Sequence, residues 1–389
     1  MKTFAATSRA DLAARAAAIG ATCVAPFAEE VDEESRFPRE AVDALRDDGQ
    51  LSALVPTRLG GQGASIVDVA EATYRLATHC ASTAMVYAMH HLGVACLVRH
   101  PTNELLESYL HELADRQLLL ASATTETGTG GDVGSSICAV ERSDGRFRLE
   151  KQTPVISYGQ YADAVLATAR RTIDSPSNDQ VLVLCAPPGL SLEPISGWDA
   201  LGFRGTCSSG FRLVAEGADA AVLPTPFDVI SAETNLPVSH ILWSHVWLGL
   251  AGAAVRQARS YVQSEARKRP GATPQGALRL AELDARYRQM AGLVRGAARR
   301  FDEMADDREA LSSLDYAVEM NALKVSASRL VVDVVGGALL ICGMAGYRQD
   351  SPFSLGRLLR DAYGAVLMLN NDRLLGANAQ LLLVGGDRR

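Results

Sequence analysis

Apolar residues recur every three or four positions, with charges between them, over residues 41–51 and 66–77. That is the period of an amphipathic helix. The segment between them, PTRLGGQG at 56–63, is rich in turn formers. Residues 1–118 therefore read as a helical domain. Near residue 118 the texture shortens. Four β-prone runs, 146–150, 164–169, 181–185 and 211–214, are mostly separated by Gly, Pro, Asp or Ser. Residues 119–223 are expected to form a small, mostly antiparallel sheet or barrel. From 224 to 389 the helical period returns, with long candidates at 241–268, 276–304, 311–340 and 356–383. Four long helices with short connections predict a four-helix bundle. The order helical, β, helical predicts an α+β multi-domain chain and argues against a doubly wound sheet.

Composition narrows the classes of function. The chain has 389 residues, 48% apolar and 21% charged, with a net charge of −7. It has no basic tract, so nucleic acid is not an expected partner, because phosphate binding needs clustered cations. The cysteines (Cys23, Cys80, Cys96, Cys138, Cys185, Cys207 and Cys342) are scattered, odd in number and lack C-x-x-C spacing. Neither a disulfide framework nor a metal site is expected, and a reducing, cytoplasmic setting is. Arg9, Asp11 and Arg15 interrupt the apolar N-terminus, unlike a signal peptide. The run 241–255 contains Ser244, His245 and Gly249, so it reads as a buried helix, and no membrane is expected.

Two segments carry the chemistry. One is TTETGTGGD at 124–132, whose spacing is not G-x-G-x-x-G and which no strong helix follows, so it is no Rossmann fingerprint. The other is WDALGFRGTCSSG at 198–210. In this order and with these flanks the chain resembles the acyl-CoA dehydrogenase superfamily of flavoproteins. Thr125, Glu126, Gly128, Gly130 and Asp132 match its flavin-contacting loop; Thr127 replaces a proline and Gly131 a serine. Glycines and small hydroxyls suit close approach to a flat ring. Ile156, Ser157 and Gly159 fall on the strand that follows, with Ser157 implied near the flavin N5 and Val155 where a tryptophan often covers the ring. Gly202 and Arg204 are expected to fix how the β domain meets the C-terminal helices. Arg267 matches an arginine that reaches the FAD pyrophosphate of a neighbouring subunit. Gly343 and Gly346, in CGMAGY, match a turn meeting the adenosine half across a dimer. GRLLRDAY at 356–363 matches the start of a family helix. The resemblance implies FAD, with FMN second, and a homodimer or homotetramer.

The family's base is missing. The glutamate that collects the α-proton aligns with Leu369, or with Val366 on a shifted count; its alternative place, on the first bundle helix, is Ser239. His240 stands where that helix carries an arginine, and His90 and His91 fall on the acyl-pocket helix. Imidazole works as acid or base near neutral pH, so these three are the catalytic candidates. Two reactions follow. One is FAD-dependent α,β-dehydrogenation of an acyl thioester on CoA or an acyl-carrier protein, with an electron-acceptor flavoprotein as partner. The other is a monooxygenase on the same scaffold: a flavin reductase supplies reduced flavin, and a C4a-hydroperoxyflavin forms. The L-G-F-R-G-T-x-S variant is similar to the branch that holds such monooxygenases.

Overall fold

The computed structural model describes residues 9–384 apart from 101 and 269. The outer ends of the two predicted helical domains, 1–8 and 385–389, lie outside the described residues. The N-terminal part holds helices α1 (Arg9–Ile19), α2 (Ala28–Glu33), α3 (Arg39–Asp47), α4 (Ile66–Ala77), α5 (Ala81–Val98) and α6 (Glu104–Arg116). A reciprocal capping box starts α4: Ser65 accepts from the Asp68 amide, and the Asp68 carboxylate accepts from the Ser65 amide. By contrast α5 is apolar all round, because α4, α8 and β1 pack against it.

The middle part holds β1 (Leu120–Ala123), β2 (Glu141–Ser143), β3 (Arg146–Thr153), β4 (Ala164–Arg170), β5 (Gln180–Cys185), β6 (Leu190–Ser196) and β7 (Gly210–Ala218). One expected sheet is two. The first, ordered β1-β4-β5, pairs β1 parallel to β4 and β4 antiparallel to β5. The second, β2-β3-β7-β6, is antiparallel throughout. Buried and exposed positions alternate along β3, whereas all of β5 is buried, so β3 has one wet face and β5 has none.

The rest is helical: α7 (Phe227–Ile230), α8 (Leu236–Lys268), α9 (Ala277–Glu303), α10 (Arg308–Leu311), α11 (Leu314–Cys342), α12 (Met344–Tyr347), α13 (Gly356–Leu367) and α14 (Asn371–Val384). The single helix expected over 356–383 is two. The chain breaks at Leu369, whose φ is +45°, a left-handed conformation costly for a leucine. By length and composition α5, the α7–α8 stretch and α11 could each cross a membrane; the most apolar windows of the first two are 89% buried within the protein and that of α11 is half buried.

The three parts meet at one junction. Gly202 sits so close to α13 that an added Cβ would lie 2.4 Å from the Arg360 carbonyl and 2.8 Å from the Asp361 amide. The Phe203 amide donates to Asp361 Oδ1 at 2.6 Å. Arg204 departs from expectation: its Nε reaches the Asp32 carbonyl of α2 at 2.7 Å. The Asp32 carboxylate in turn holds Arg360. So Gly202 joins the β part to the C-terminal helices, and Arg204 joins it to the N-terminal ones. Because both contacts at Gly202 are backbone atoms, Gly202→Ala is expected to cost roughly 1–3 kcal/mol, read as a lower unfolding midpoint.

Candidate functional site

The glycine loop between β1 and β2 is built around one carboxylate. Glu126 is buried and accepts from Ser136 Oγ at 2.7 Å and from the amides of Ile137 (3.1 Å) and Cys138 (2.7 Å). The Lys151 ammonium, also buried, lies 3.8 Å away and donates to the carbonyl and hydroxyl of Thr168 at 2.8 Å each. Around this knot the backbone turns through positive φ at Gly128, Gly130 and Gly131, which glycine adopts freely. A Cβ at Gly130 would meet nothing within 4 Å. Arg373, on α14, donates to the carbonyls of Gly130 (2.8 Å) and Gly131. Thr125 Oγ1 donates to the Val155 carbonyl at 3.2 Å, tying the loop to the turn after β3.

That turn presents Val155, exposed, Ile156, fully buried with its amide on the Ser209 carbonyl (2.8 Å), and Ser157. Ser157 ends a directed chain. Thr206 gives its one hydroxyl hydrogen to the Phe203 carbonyl at 2.8 Å. At the 2.7 Å contact with Thr206, Ser208 must therefore donate. At the 2.9 Å contact with Ser208, Ser157 donates in turn. A hydroxyl has one hydrogen and two lone pairs, so Ser157 has only lone pairs left for a ligand.

The three candidate histidines divide. His90 has both ring nitrogens engaged: Nε2 lies 2.6 Å from the Leu51 carbonyl, and Nδ1 accepts from the Leu120 amide at 3.0 Å. It joins the N-terminal helices to β1. His91 points to the Gln50 carbonyl at 3.1 Å and packs edge-on to Tyr87. His240 is separate from both. Its Nδ1 lies 2.9 Å from the Met320 carbonyl of α11, while Nε2 is buried without a partner. A carbonyl can only accept, so the proton is on Nδ1 and Nε2 offers a lone pair. Burial pushes His90 and His240 down to about 4 and His91 well below the usual range. His240 is thus a neutral imidazole, beside Trp243.

At the turn where a glutamate was sought, the structure places a lysine. Lys324 of α11, fully buried, donates to the Leu369 carbonyl (2.9 Å) and Asn371 Oδ1 (2.7 Å), with Trp247 under its ammonium at 5.8 Å. Burial alone pushes it down to about 8. Ser239, at the alternative position, bonds back to the Leu236 carbonyl at 2.8 Å. Neither Lys324 nor Arg373 stands out in the sequence as a site residue; a lone lysine within the apolar stretch ALKVSAS is the available signal. Arg267 is exposed at the end of α8. Gly343 caps α11 with φ +55° and open space beside it. Gly346 is buried, and a Cβ there would meet Cys342 at 2.7 Å. Among the described residues no group of three or more His, Cys, Asp or Glu could hold a metal ion.

A cavity of about 320 Å³ runs beside the site. Val133 and Gly134, which follow the glycine loop, form one wall, Gln180 of β5 another, and Tyr316 and Met320 of α11 a third. One of its lining residues, Met320, is the one whose carbonyl holds His240.

Comparison with known proteins agrees with this architecture. The description "Acyl-CoA dehydrogenase, N-terminal domain" matches residues 8–117, and "Acyl-CoA dehydrogenase, C-terminal domain" matches 229–367. The chain is 29% identical to an amino sugar nitrososynthase of Streptomyces peucetius over 85% of this chain and 82% of that protein. It is 25% identical to a probable FMNH2-dependent monooxygenase of Pseudomonas putida over 82% of each. Its fold matches that of butyryl-CoA dehydrogenase from Megasphaera elsdenii with a TM-score of 0.83 at 22% identity, covering 98% of this chain and 99% of that one. The glycine loop, the junction at Gly202 and these matches along the chain lead to one assignment: the chain belongs to the acyl-CoA dehydrogenase family of flavin-binding oxidoreductases.

Proposed function

We propose that this protein is a reduced-flavin-dependent monooxygenase built on the acyl-CoA dehydrogenase scaffold. The observation that carries the reading is Lys324 at the turn of Leu369. Dehydrogenation needs a base there, tuned towards neutrality, to take a proton from carbon. Lys324, at about 8 and held as a donor by the Leu369 carbonyl and Asn371 Oδ1, is mostly an ammonium at neutral pH, with no lone pair to take that proton. Nor, among the described residues, does a buried carboxylate stand in from elsewhere. Asp32 holds Arg360, Asp68 caps α4, Glu126 holds its own loop, Glu233 holds Arg308 and Asp361 accepts from Phe203.

The residues suit a flavin. The open, positive-φ glycines let its ring come close, Thr125 and Ser157 stand at the ring's expected edge, and Arg373 braces the loop from α14. Bound reduced flavin supplies the two electrons with which dioxygen is split between substrate and water. Ser157, limited to lone pairs, favours an N–H donor, which the reduced ring carries at the nitrogen where the oxidised ring has none. His240 Nε2 is fully buried beside Trp243, its lone pair unmatched within the protein. FAD is the expected nucleotide and FMN the second, with a flavin reductase as electron source. Exposed Leu340, Met344 and Tyr347 flank Gly343, an apolar patch that supports a second copy of the chain completing the site.

The other reading is α,β-dehydrogenation, with an electron-transferring flavoprotein as acceptor, and the unpaired Nε2 of His240 favours it. Magnitude argues against it. An imidazole at about 4 is a base some three units weaker than one tuned to neutrality, about 4 kcal/mol less driving force. The test is isotopic. With reduced flavin from a reductase and ¹⁸O₂, small amine and aromatic compounds are screened for products carrying label. One labelled oxygen per product is expected; a product short of two hydrogens and free of label would overturn the proposal.

A further inference from the structure

We infer that the substrate is a small, phosphate-free molecule, neutral or carrying an ammonium group, that enters as a free molecule rather than on coenzyme A, a carrier protein or a nucleotide. This deepens the monooxygenase reading and rests on it for the reaction, but it is read from the cavity between the β part and the C-terminal helices. Sixteen residues line that cavity, and none is a lysine or arginine. Its one charged residue is Asp228, exposed, on α7. The neighbouring cations are occupied: Arg308 bonds the Glu233 carboxylate, and Arg99 bonds Thr234 and the Ala305 carbonyl.

A coenzyme A or nucleotide substrate brings a diphosphate, which calls for cations or free backbone amides at the entrance. Here the entrance offers a carboxylate, which repels phosphate and attracts an ammonium. Inside, the polar groups are neutral. Gln180 spends its amide nitrogen on the Val133 carbonyl at 3.2 Å, and its Oε1 is buried without a partner. The Tyr316 hydroxyl is also buried without a partner. Both are neutral, so neither supplies the charge that a phosphate calls for. A volume of about 320 Å³ corresponds to roughly ten waters at their share of the liquid, enough for a bicyclic ring and a short arm.

The test is binding by calorimetry, without flavin or oxygen, so that its failure is distinct from failure of the monooxygenase reading. The probes share one ring and differ in charge: tryptamine, indole and indole-3-propionate, with butyryl-CoA and ADP beside them. Tryptamine and indole are expected to bind, the carboxylate more weakly, and butyryl-CoA and ADP not at all. Asp228→Asn is expected to reduce the advantage of tryptamine over indole by about two- to fivefold, the scale of an exposed ion pair. Ala317→Trp, which fills the cavity, should abolish binding of both; far-ultraviolet circular dichroism checks that it folds. Binding of butyryl-CoA or ADP more tightly than tryptamine overturns the inference, as does unchanged tryptamine binding in a folded Ala317→Trp protein.

Discussion

Lowering the pH from 7 to 4.5 is expected to remove most of the stability of this protein. Five histidines are buried: His90, His91, His100, His240 and His245. Burial pushes four of them down to about 4, and His91 well below the usual range. The unfolded chain binds these protons near 6.5. Since the folded values are depressed, the stabilisation is complete above 6.5 and is lost as the pH falls towards 4. A depression from 6.5 to about 4 corresponds to at most about 3 kcal/mol for one histidine. Two or three such contributions already rival a typical total of 5–15 kcal/mol. Two carboxyls oppose them: Glu319, which burial raises, and Asp361. Burial raises Asp361 to about 6, so its carboxyl favours the folded state at low pH and that contribution fades as pH rises; it offsets about one histidine. Urea midpoints measured from pH 7.5 to 4.5 should fall steeply below 6.5. A flat profile down to 5 would show that the histidines take up protons without unfolding the chain.

Glu126→Gln is expected to be the most damaging single substitution in the glycine loop. The carboxylate accepts three hydrogen bonds and lies against the buried Lys151. Neutralising it leaves the Lys151 ammonium buried with only Thr168 as partner, and breaking such a pair costs about 3–5 kcal/mol. Flavin affinity should fall with stability, because Gly128, Gly130 and Gly131 are carried on the same knot. The control is the double variant Glu126→Gln, Lys151→Met, which removes both charges and should be milder than the sum of the two singles. Thermal unfolding and flavin fluorescence titration of all three variants read this out. A single variant with unchanged midpoint and affinity would mean that the knot does not hold the loop.

The sequence showed the long helices well, since α4, α8, α9 and α11 begin and end within a few residues of the apolar period. It did not show where α13 stops, because the break falls on a leucine with positive φ rather than on Gly or Pro. Strand β6 escaped because it is mostly exposed and contains Pro194, and β1 because Leu-Ala-Ser-Ala has no β-branched residue. For the site, the glycine loop was legible from spacing. The histidines were legible as residue types but not as directions. Adjacent residues on a helix face different ways, and His90 and His91 reach different carbonyls while His240 turns to α11. Lys324 and Arg373 were out of reach for the same reason: their meaning lies in carbonyls 45 and more than 240 positions away in the chain.

On the monooxygenase reading, the turn at Leu369 carries no base for dehydrogenation. An anaerobic titration of the FAD-loaded protein with butyryl-CoA tests it directly. Absorbance near 450 nm is expected to stay unchanged over hours, while a reductase and NADH bleach the same sample. Stoichiometric bleaching by butyryl-CoA alone would contradict it.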